Sequence, residues 1–392
     1  MIGTLLVLNA GSSSIKFALF TAESEPQAIA RGQVSGIGVT ARLEATRADG
    51  APLPLADGPT EIRDHHAALA LLLNRLGEAG LTAGLIGAGH RVVHGGRDFT
   101  APVRLGDAEI EALARLIPLA PLHQPHNVAA IRALKGRLPG LPQAACFDTA
   151  FHATQPPEAA RFALPLEFWE RGLRRYGFHG LSYEAVTTRF PGIAGEALPP
   201  RVVIAHLGNG ASLCAVEKGR SIATTMGFST LDGLIMGTRG GDMDPGLLLH
   251  LMREEGYDRQ ALETLLYHRA GLLGLSGLSP DMRALLASAD SAAQAAVAQY
   301  CYRVARHVGS LAAALEGLDA LVFTAGIGEN SAPVRERICR ACAWLGLEFD
   351  PEANRAQGPR ISAPGSRVAA WVIPTDEERV IARHALALLA PG

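Results

Sequence analysis

The stretch Thr4-Leu-Leu-Val-Leu-Asn-Ala-Gly-Ser-Ser-Ser-Ile-Lys-Phe-Ala-Leu-Phe20 decides the fold. Residues 4–8 are an apolar run too short for a helix and end in a Gly/Ser turn, so they read as a buried strand, and residues 15–20 read as the strand that returns. The same lettering recurs far along the chain: residues 202–205 are apolar, the chain breaks at His206-Leu-Gly-Asn-Gly-Ala-Ser212, and residues 213–216 resume. One gap brings Gly11 onto Gly208 and Ser14-Ile15 onto Ser212-Leu213. Two related halves would produce this pattern, and so would two short hairpins alike by coincidence.

Outward from these hairpins, helical patterns alternate with strands. Residues 64–78 put Leu69, Leu72, Leu73 and Leu76 on one face and stop near Gly80, and Asp107 precedes Ile110, Leu113, Leu116 and Ile117. Asp244-Pro245 pairs an N-cap with the residue best suited to the first helical position. An Ala-rich helix over about 290–316 feeds the apolar strand 320–324 (ALVFT), which ends in a loop, Ala325-Gly-Ile-Gly-Glu-Asn330, with Ser331 capping the next helix. Residues 368–373 read as a strand, and Thr375-Asp-Glu-Glu378 fits a capping box for the last helix. Strands alternating with helices predict an α/β protein. The Pro-rich breaks Gln155-Pro156-Pro157 and Leu198-Pro199-Pro200 mark segment boundaries.

Composition narrows the function. At 392 residues the chain has room for two or three domains. Its 36 Lys and Arg against 38 Asp and Glu leave a net charge of -2, so no global field favours nucleic acid or an anionic membrane. Any anionic ligand must be caught locally. Only three of the basic residues, Lys16, Lys135 and Lys218, are lysines. Five cysteines, an odd number, suit a reduced, cytoplasmic protein. The apolar start is too short and lacks the basic leader of a signal peptide, and no run reaches the roughly 20 apolar residues of a membrane span.

Three Gly-rich segments at strand ends could hold phosphate. Asn9-Ala-Gly-Ser-Ser-Ser14 with Lys16 offers backbone donors, hydroxyls and a cation; His206-Leu-Gly-Asn-Gly210 and Gly326-Ile-Gly-Glu-Asn330 are the others, the last ahead of a helix N-terminus. Taken alone, the first also fits an ordinary hairpin turn. None matches G-x-x-x-x-G-K-[ST] or G-x-G-x-x-G. Arginines lie among glycines in His90-Arg-Val-Val-His-Gly-Gly96 and Met236-Gly-Thr-Arg-Gly-Gly-Asp242, where a fixed-charge fork can meet an anion, although a surface loop arginine would look the same. Asp148 closes a strand over 143–147, a usual place for a metal-binding or catalytic acid, and His179 is bracketed by glycines in Tyr176-Gly-Phe-His-Gly180. Ser13-Ser-Ile-Lys16 satisfies S-x-x-K, but the alternation of Ile15, Phe17 and Leu19 puts it on a strand, and no S-D-N or K-T-G follows, so a serine acyl-enzyme is disfavoured. A hydrolytic metal site is equally poor: H-E-x-x-H is absent, and the proline in Leu122-His-Gln-Pro-His126 disfavours a two-ligand helix face.

Read together, Asn9-Ala-Gly-Ser-Ser-Ser-Ile-Lys16, His90-Arg-Val-Val-His-Gly-Gly96, Ala120-Pro-Leu-His123, Phe147-Asp-Thr-Ala-Phe-His152, Tyr176-Gly-Phe-His-Gly180, Ala205-His-Leu-Gly-Asn-Gly-Ala-Ser212, Met236-Gly-Thr-Arg239 and Phe323-Thr-Ala-Gly-Ile-Gly-Glu-Asn330 resemble the acetate kinase family, in order and from end to end. The resemblance implies an α/β fold of two duplicated actin-like ATPase domains with a nucleotide cleft between them: 1–150 with 376–392 as the N-terminal domain, and 151–375 as the C-terminal one. It implies a cytoplasmic homodimer that moves the ATP γ-phosphoryl group reversibly to acetate, with Mg²⁺ as cofactor and Mn²⁺ able to replace it. Butyrate and propionate kinases of the family are the near alternatives, and a non-catalytic nucleotide-binding protein of the same superfold is a more distant one.

Carried over by position, Asn9 and Glu377 match the Mg²⁺ contacts, and Ser12 and Lys16 the first phosphate loop. His206, Leu207, Gly208, Asn209 and Gly210 match the ATP segments, as do Asp281, Met282 and Arg283 and the run Gly326, Ile327, Gly328, Glu329 and Asn330. Arg91 matches the arginine that takes the substrate carboxylate, Asp148 the essential acid, and His179 and Arg239 the groups that stabilise the transition state. Val93, Leu122 and Phe178 match the apolar pocket around the substrate methyl. In Phe228-Ser-Thr-Leu-Asp-Gly233 the family usually has Thr-Pro-Leu-Glu-Gly, so Thr230 replaces a proline at the alkyl end of the substrate and Asp232 a glutamate. Gly180-Leu-Ser-Tyr183 replaces Gly-Thr-Ser-His. Both departures leave the phosphoryl groups untouched and open the question of acyl chain length.

Overall fold

The computed structural model describes residues 3–53 and 62–389. The chain divides into two compact units, Met1–Phe151 with Asp376–Gly392, and His152–Thr375. The break at residues 155–157 lies just inside the second unit; that at 198–200 is well within it, between a helix and a strand.

In the first unit, β1 (Thr4–Ala10) and β2 (Ser14–Thr21) form the antiparallel hairpin that their apolar runs predict, with Asn9 opposite Lys16 and Ala10 opposite Ile15. β3 (Ala28–Ser35) and β4 (Arg42–Arg47) extend that side, while β5 (Leu85–Val92) joins β1 in parallel, β7 (Gln143–Phe147) joins β5, and β6 (Val103–Arg104) ends the order β4-β3-β2-β1-β5-β7-β6. Parallel central strands covered on both faces need apolar side chains at every position, which is why β1 runs unbroken rather than alternating. Helix His65–Glu78 lies on one face, its Leu69, Leu72, Leu73 and Leu76 buried with Leu6, Leu8, Ile15 and Phe17; Asp64 caps it by accepting from the Ala67 amide at 2.8 Å. Helix Glu377–Leu389 packs against β1, β5 and β7. Gly89 admits it: a Cβ there would lie 2.6 Å from Ile381 Cγ2.

The second unit has the order β10-β9-β8-β11-β12, from β8 (Arg201–Leu207), β9 (Ala211–Glu217), β10 (Arg220–Thr224), β11 (Ala320–Thr324) and β12 (Ala369–Val372). Two antiparallel neighbours on one side of β8 and two parallel strands on the other reproduce β3-β2-β1-β5-β7. Duplication, left open by the letters, is therefore visible as topology. The register also corrects the letters: Leu207 pairs with Ala211 as Ala10 pairs with Ile15, so Ile15 corresponds to Ala211 and not to Leu213. Two residues of slip preserve which face each side chain occupies, which is why the lettering still matched.

Other sequence readings shift too. His206, Leu207, Ala211 and Ser212 belong to the paired strands, and the turn is only Gly208–Gly210. Residues 325–330 are a short helix rather than a loop. Helix Asp107–Arg115 stops before Leu116 and Ile117. Ser331 occupies the N-cap of helix Ala332–Ala341 without a side-chain bond, and the Thr375 hydroxyl is buried without a partner, so neither predicted cap forms. Asp244 and Asp290 do cap their helices, Pro245–Arg253 and Ser291–Ala314. All five cysteines are buried and free, and among the described residues no helix is long and apolar enough to cross a membrane.

Candidate active site

The first unit gathers charge at the C-terminal ends of β5 and β7. Arg91 and Gly89 project on the same face of β5, the face against which helix Glu377–Leu389 lies, and this brings Glu377 Oε2 within 3.9 Å of Arg91 Nε. Asp148 follows β7 directly, its amide bonded to the Val92 carbonyl at 3.1 Å, and its carboxylate takes both prongs of the guanidinium. Nε donates to Oδ1 at 2.9 Å and Nη2 to Oδ2 at 2.5 Å, while Nη1 donates to Asn9 Oδ1 at 3.3 Å. Burial works against the Arg91 charge, but Asp148 and Glu377 hold it above its ordinary value. Burial pushes the Glu377 carboxyl up to about 7, with Arg91 and Lys16 opposing and Asp148 and Glu378 adding. Asn9, Arg91, Asp148 and Glu377 are thus one cluster. Lys16 lies within β2, with its side chain exposed, and Ser12 lies in the turn.

Around this cluster, Val93 is buried and donates its amide to Asn127 Oδ1 at 3.0 Å; Asn127 Nδ2 donates to the Ala10 carbonyl at 2.9 Å. Gln124 Nε2 holds the His94 carbonyl at 3.0 Å. Leu122 is partly buried, just ahead of helix Gln124–Arg137. Asn127 and Gln124 escaped the sequence reading, although two amides in the first turn of a helix that opens with Pro125 were its available signal. His126 stacks on His65 at 4.7 Å. Among the described residues, no three His, Cys, Asp or Glu side chains form a metal-binding group.

The second unit gathers donors. His179 precedes helix Gly180–Ala194 with a left-handed backbone, φ +59°, and stacks on His206 with centroids 4.1 Å apart. His206 Nδ1 lies 2.7 Å from Ser182 Oγ, and His179 Nδ1 lies 2.7 Å from Ser212 Oγ. Arg239 Nη1 donates to the Thr230 carbonyl at 2.8 Å; among the described residues no carboxylate pairs with this guanidinium, and burial lowers its pKa. A Cβ at Gly210 would lie 2.9 Å from Arg239 Nη2 and 3.4 Å from His179 Nε2, so only glycine leaves that point open. Asn209 accepts the Gly237 amide on its carbonyl at 3.0 Å. Phe178 is buried beside His179 in sequence.

The remaining predicted nucleotide segments divide. Gly326 is open, with nothing within 4 Å of where a Cβ would stand. Glu329, by contrast, turns inward: its Oε1 accepts from the Ala325 amide at 2.8 Å, the Thr375 amide at 3.1 Å and the Thr324 hydroxyl at 3.3 Å. Asp281 caps helix Met282–Ala287 through the Arg283 amide and pairs with the exposed Arg283 guanidinium at 2.6 Å, while Met282 is core. Arg335, missed in the sequence, is fully buried and donates to the Gly328 and Glu329 carbonyls at 3.0 and 2.6 Å and to Asn354 Oδ1 at 2.8 Å.

The comparisons define the class: a phosphotransferase whose acceptor is a carboxylate. The family model of the Acetokinase family matches residues 4–383. An acetate kinase of Rhodopseudomonas palustris is 52% identical over all of both chains, and one of Bacillus subtilis is 42% identical over 98% of this chain and 99% of that one. Among solved structures, a propionate kinase from Francisella tularensis matches with a TM-score of 0.93 at 36% identity over 99% of this chain and 100% of that one. Porphyromonas gingivalis acetate kinase matches with a TM-score of 0.89 at 37% identity over the same shares. The chain belongs to the acetokinase family.

Proposed function

We infer that this enzyme transfers the γ-phosphoryl group of ATP to acetate, reversibly, giving acetyl phosphate and ADP. The observation that carries this reading is Arg239, a guanidinium without an acidic partner among the described residues that shares the open point beside Gly210 with His179 Nε2. A carboxylic acid that titrates in water at about pH 4 is already ionised at neutral pH, so the nucleophile needs no base. The difficulty is bringing an anion to a polyanion in line. In the first unit Arg91 binds the acetate carboxylate, Asp148 holds Arg91 in place, and Val93 and Leu122 meet the methyl group. In the second, Arg239 and His179 donate to the phosphoryl oxygens as charge develops, with Phe178 at the apolar end; segments 206–210, 281–283 and 326–330 hold the nucleotide, with Ser12 and Lys16 at its phosphates.

Asn9 and Glu377 are hard oxygen donors beside Asp148, and one or two carboxylates completed by substrate phosphates is how Mg²⁺ is usually held. These residues fit the ion, with Mn²⁺ as its substitute. When bound, it neutralises phosphate charge; Asn9 and Glu377 would hold it, and Asp148 is a positioning group rather than a proton acceptor.

Helix Pro245–Arg253 buries none of its residues and leaves Leu247, Leu249 and Met252 about half exposed, which supports a homodimer built on that helix. Free buried cysteines support a cytoplasmic setting. Propionate is the second reading, favoured by Thr230 in place of the family's proline. Trapping acyl phosphate with hydroxylamine tests the proposal: ATP- and acetate-dependent hydroxamate is expected, and none would leave a nucleotide-binding protein without this chemistry.

A further inference from the structure

Tyr183 lies one turn into helix Gly180–Ala194, fully buried, and its hydroxyl makes a short hydrogen bond with Ser212 Oγ. Ser212 Oγ is the same atom that lies 2.7 Å from His179 Nδ1. Three side chains from a helix, its cap and β9 therefore form one chain ending at the imidazole. Its other nitrogen, Nε2, reaches the open point that Arg239 Nη2 also reaches beside Gly210. A left-handed backbone at a non-glycine residue persists only where the surroundings over-determine it, and the stacking on His206 and the bond to Ser212 do so here.

The proton order follows from donor strength. A phenol is a better donor than an aliphatic hydroxyl, and its oxygen, conjugated with the ring, is the poorer acceptor. Tyr183 therefore donates to Ser212, Ser212 gives its single proton to Nδ1, and a neutral His179 carries its hydrogen on Nε2. Thr224 gives its own proton to the Leu213 carbonyl at 2.8 Å, so toward the phenol it can only accept, and it shares the Tyr183 proton with Ser212. Burial raises the Tyr183 pKa, which keeps the phenolic proton in place.

The geometry points to Tyr183 as a positioning residue that, through Ser212, locks His179 as the Nε2–H tautomer, so that the neutral ring donates to a phosphoryl oxygen beside Arg239. This deepens, and rests on, the reading of His179 and Arg239 given above. Among the described residues, the titratable and charged groups close to His179 include His206, Arg239 and Tyr183, with His152 edge-on to the Tyr183 ring at 5.5 Å.

Tyr183→Phe keeps the ring and deletes the hydroxyl. The expected result is a kcat about tenfold lower, the scale of one lost hydrogen bond, with KM for ATP and acetate within about twofold. Freed of its donor, Ser212 can turn its proton away. Only the doubly protonated ring then guarantees Nε2–H, so kcat of the variant falls as rising pH removes the second ring proton, where the wild type stays level. Nitrogen-15 NMR of the neutral ring should show His179 as the Nε2–H tautomer in the wild type and a mixture in Tyr183→Phe and in Ser212→Ala. His179→Ala separates the two claims: full kcat there would end the reading of His179 itself. An inactive His179→Ala combined with wild-type kcat, pH profile and tautomer in Tyr183→Phe would overturn the lock alone. Should Tyr183→Phe not fold, an Nδ1–H tautomer in the wild-type spectrum overturns it equally.

Discussion

Arg91 and Asp148, 57 positions apart in the chain, close a two-pronged ion pair in which Nε meets Oδ1 at 2.9 Å and Nη2 meets Oδ2 at 2.5 Å. The fork is filled, one N–H each on Nη1 and Nη2 remains, and the proposed reading turns these toward a substrate carboxylate. Lysine keeps the charge but not the fork, so it cannot hold Asp148 and substrate together. Arg91→Lys should raise KM for acetate tenfold or more and leave KM for ATP nearly unchanged. Equal rises in both would remove Arg91 from carboxylate binding.

On the proposed reading, Arg239 acts on charge that develops during transfer. A well-placed arginine contributes on the order of 10³ to 10⁵ in rate to phosphoryl transfer. Arg239→Ala should therefore lose at least about a thousandfold in kcat, with KM for ATP changed by less than about tenfold. Steady-state kinetics with direct nucleotide titration checks this, and losses of equal size in turnover and affinity would sink the role.

Thr230 gives its carbonyl to Arg239, while its side chain stands where the family has a rigid proline ring. One methylene is worth about 1–3 kcal/mol of discrimination, so a pocket altered there should accept a longer acyl chain. In a panel of acetate, propionate and butyrate, kcat/KM for propionate is expected within a hundredfold of that for acetate; a larger preference for acetate would end the idea.

Arg335 ties helix Ala325–Asn330 to the Asn354 region with no carboxylate partner among the described residues. Arg335→Met preserves bulk and strands several buried acceptors, which should cost about 3 kcal/mol or more in denaturant unfolding. Loosening residues 326–330 should also raise KM for ATP severalfold and leave KM for acetate alone. Intact stability would show that these bonds are dispensable.

His90 and His94 supply a pH dependence. Burial lowers both rings to about 4, and His90 Nε2 is bonded to Gln143 Oε1 at 2.7 Å. Folded, they stay neutral where the unfolded chain takes up protons near 6.5. From about pH 6.5 down to 4 the unfolded state binds more protons, so stability falls as pH drops, by at most about 3 kcal/mol for each ring, and these groups add no slope above 6.5. Denaturation midpoints at pH 7 and pH 5 should diverge less in His90→Gln than in the wild type; an unchanged difference would clear His90 of the effect.

Much of this was legible beforehand because it depended on near neighbours. The 4–8 and 320–324 runs are strands, Asp148 directly follows β7, and Asp244 is a cap, since apolar periodicity and capping act over a few residues. The errors have the same origin. Thr375 and Glu378 have the spacing of a capping box, yet the Thr375 amide is taken by Glu329, 46 positions away, and the predicted loop at 325–330 is a helix that the same carboxylate closes at its start.

By itself the sequence determined the α/β class, the paired hairpins and the local lettering of the charged groups, because each is set by side-chain period and turn chemistry within a short window. Only the tertiary structure decided that Asp148 fills the fork of Arg91, that Arg239 has no acidic partner among the described residues, and that Tyr183 reaches His179 through Ser212. Those are partnerships between distant positions. They depend on strand register and on which faces are buried together, and no spacing along the chain encodes either.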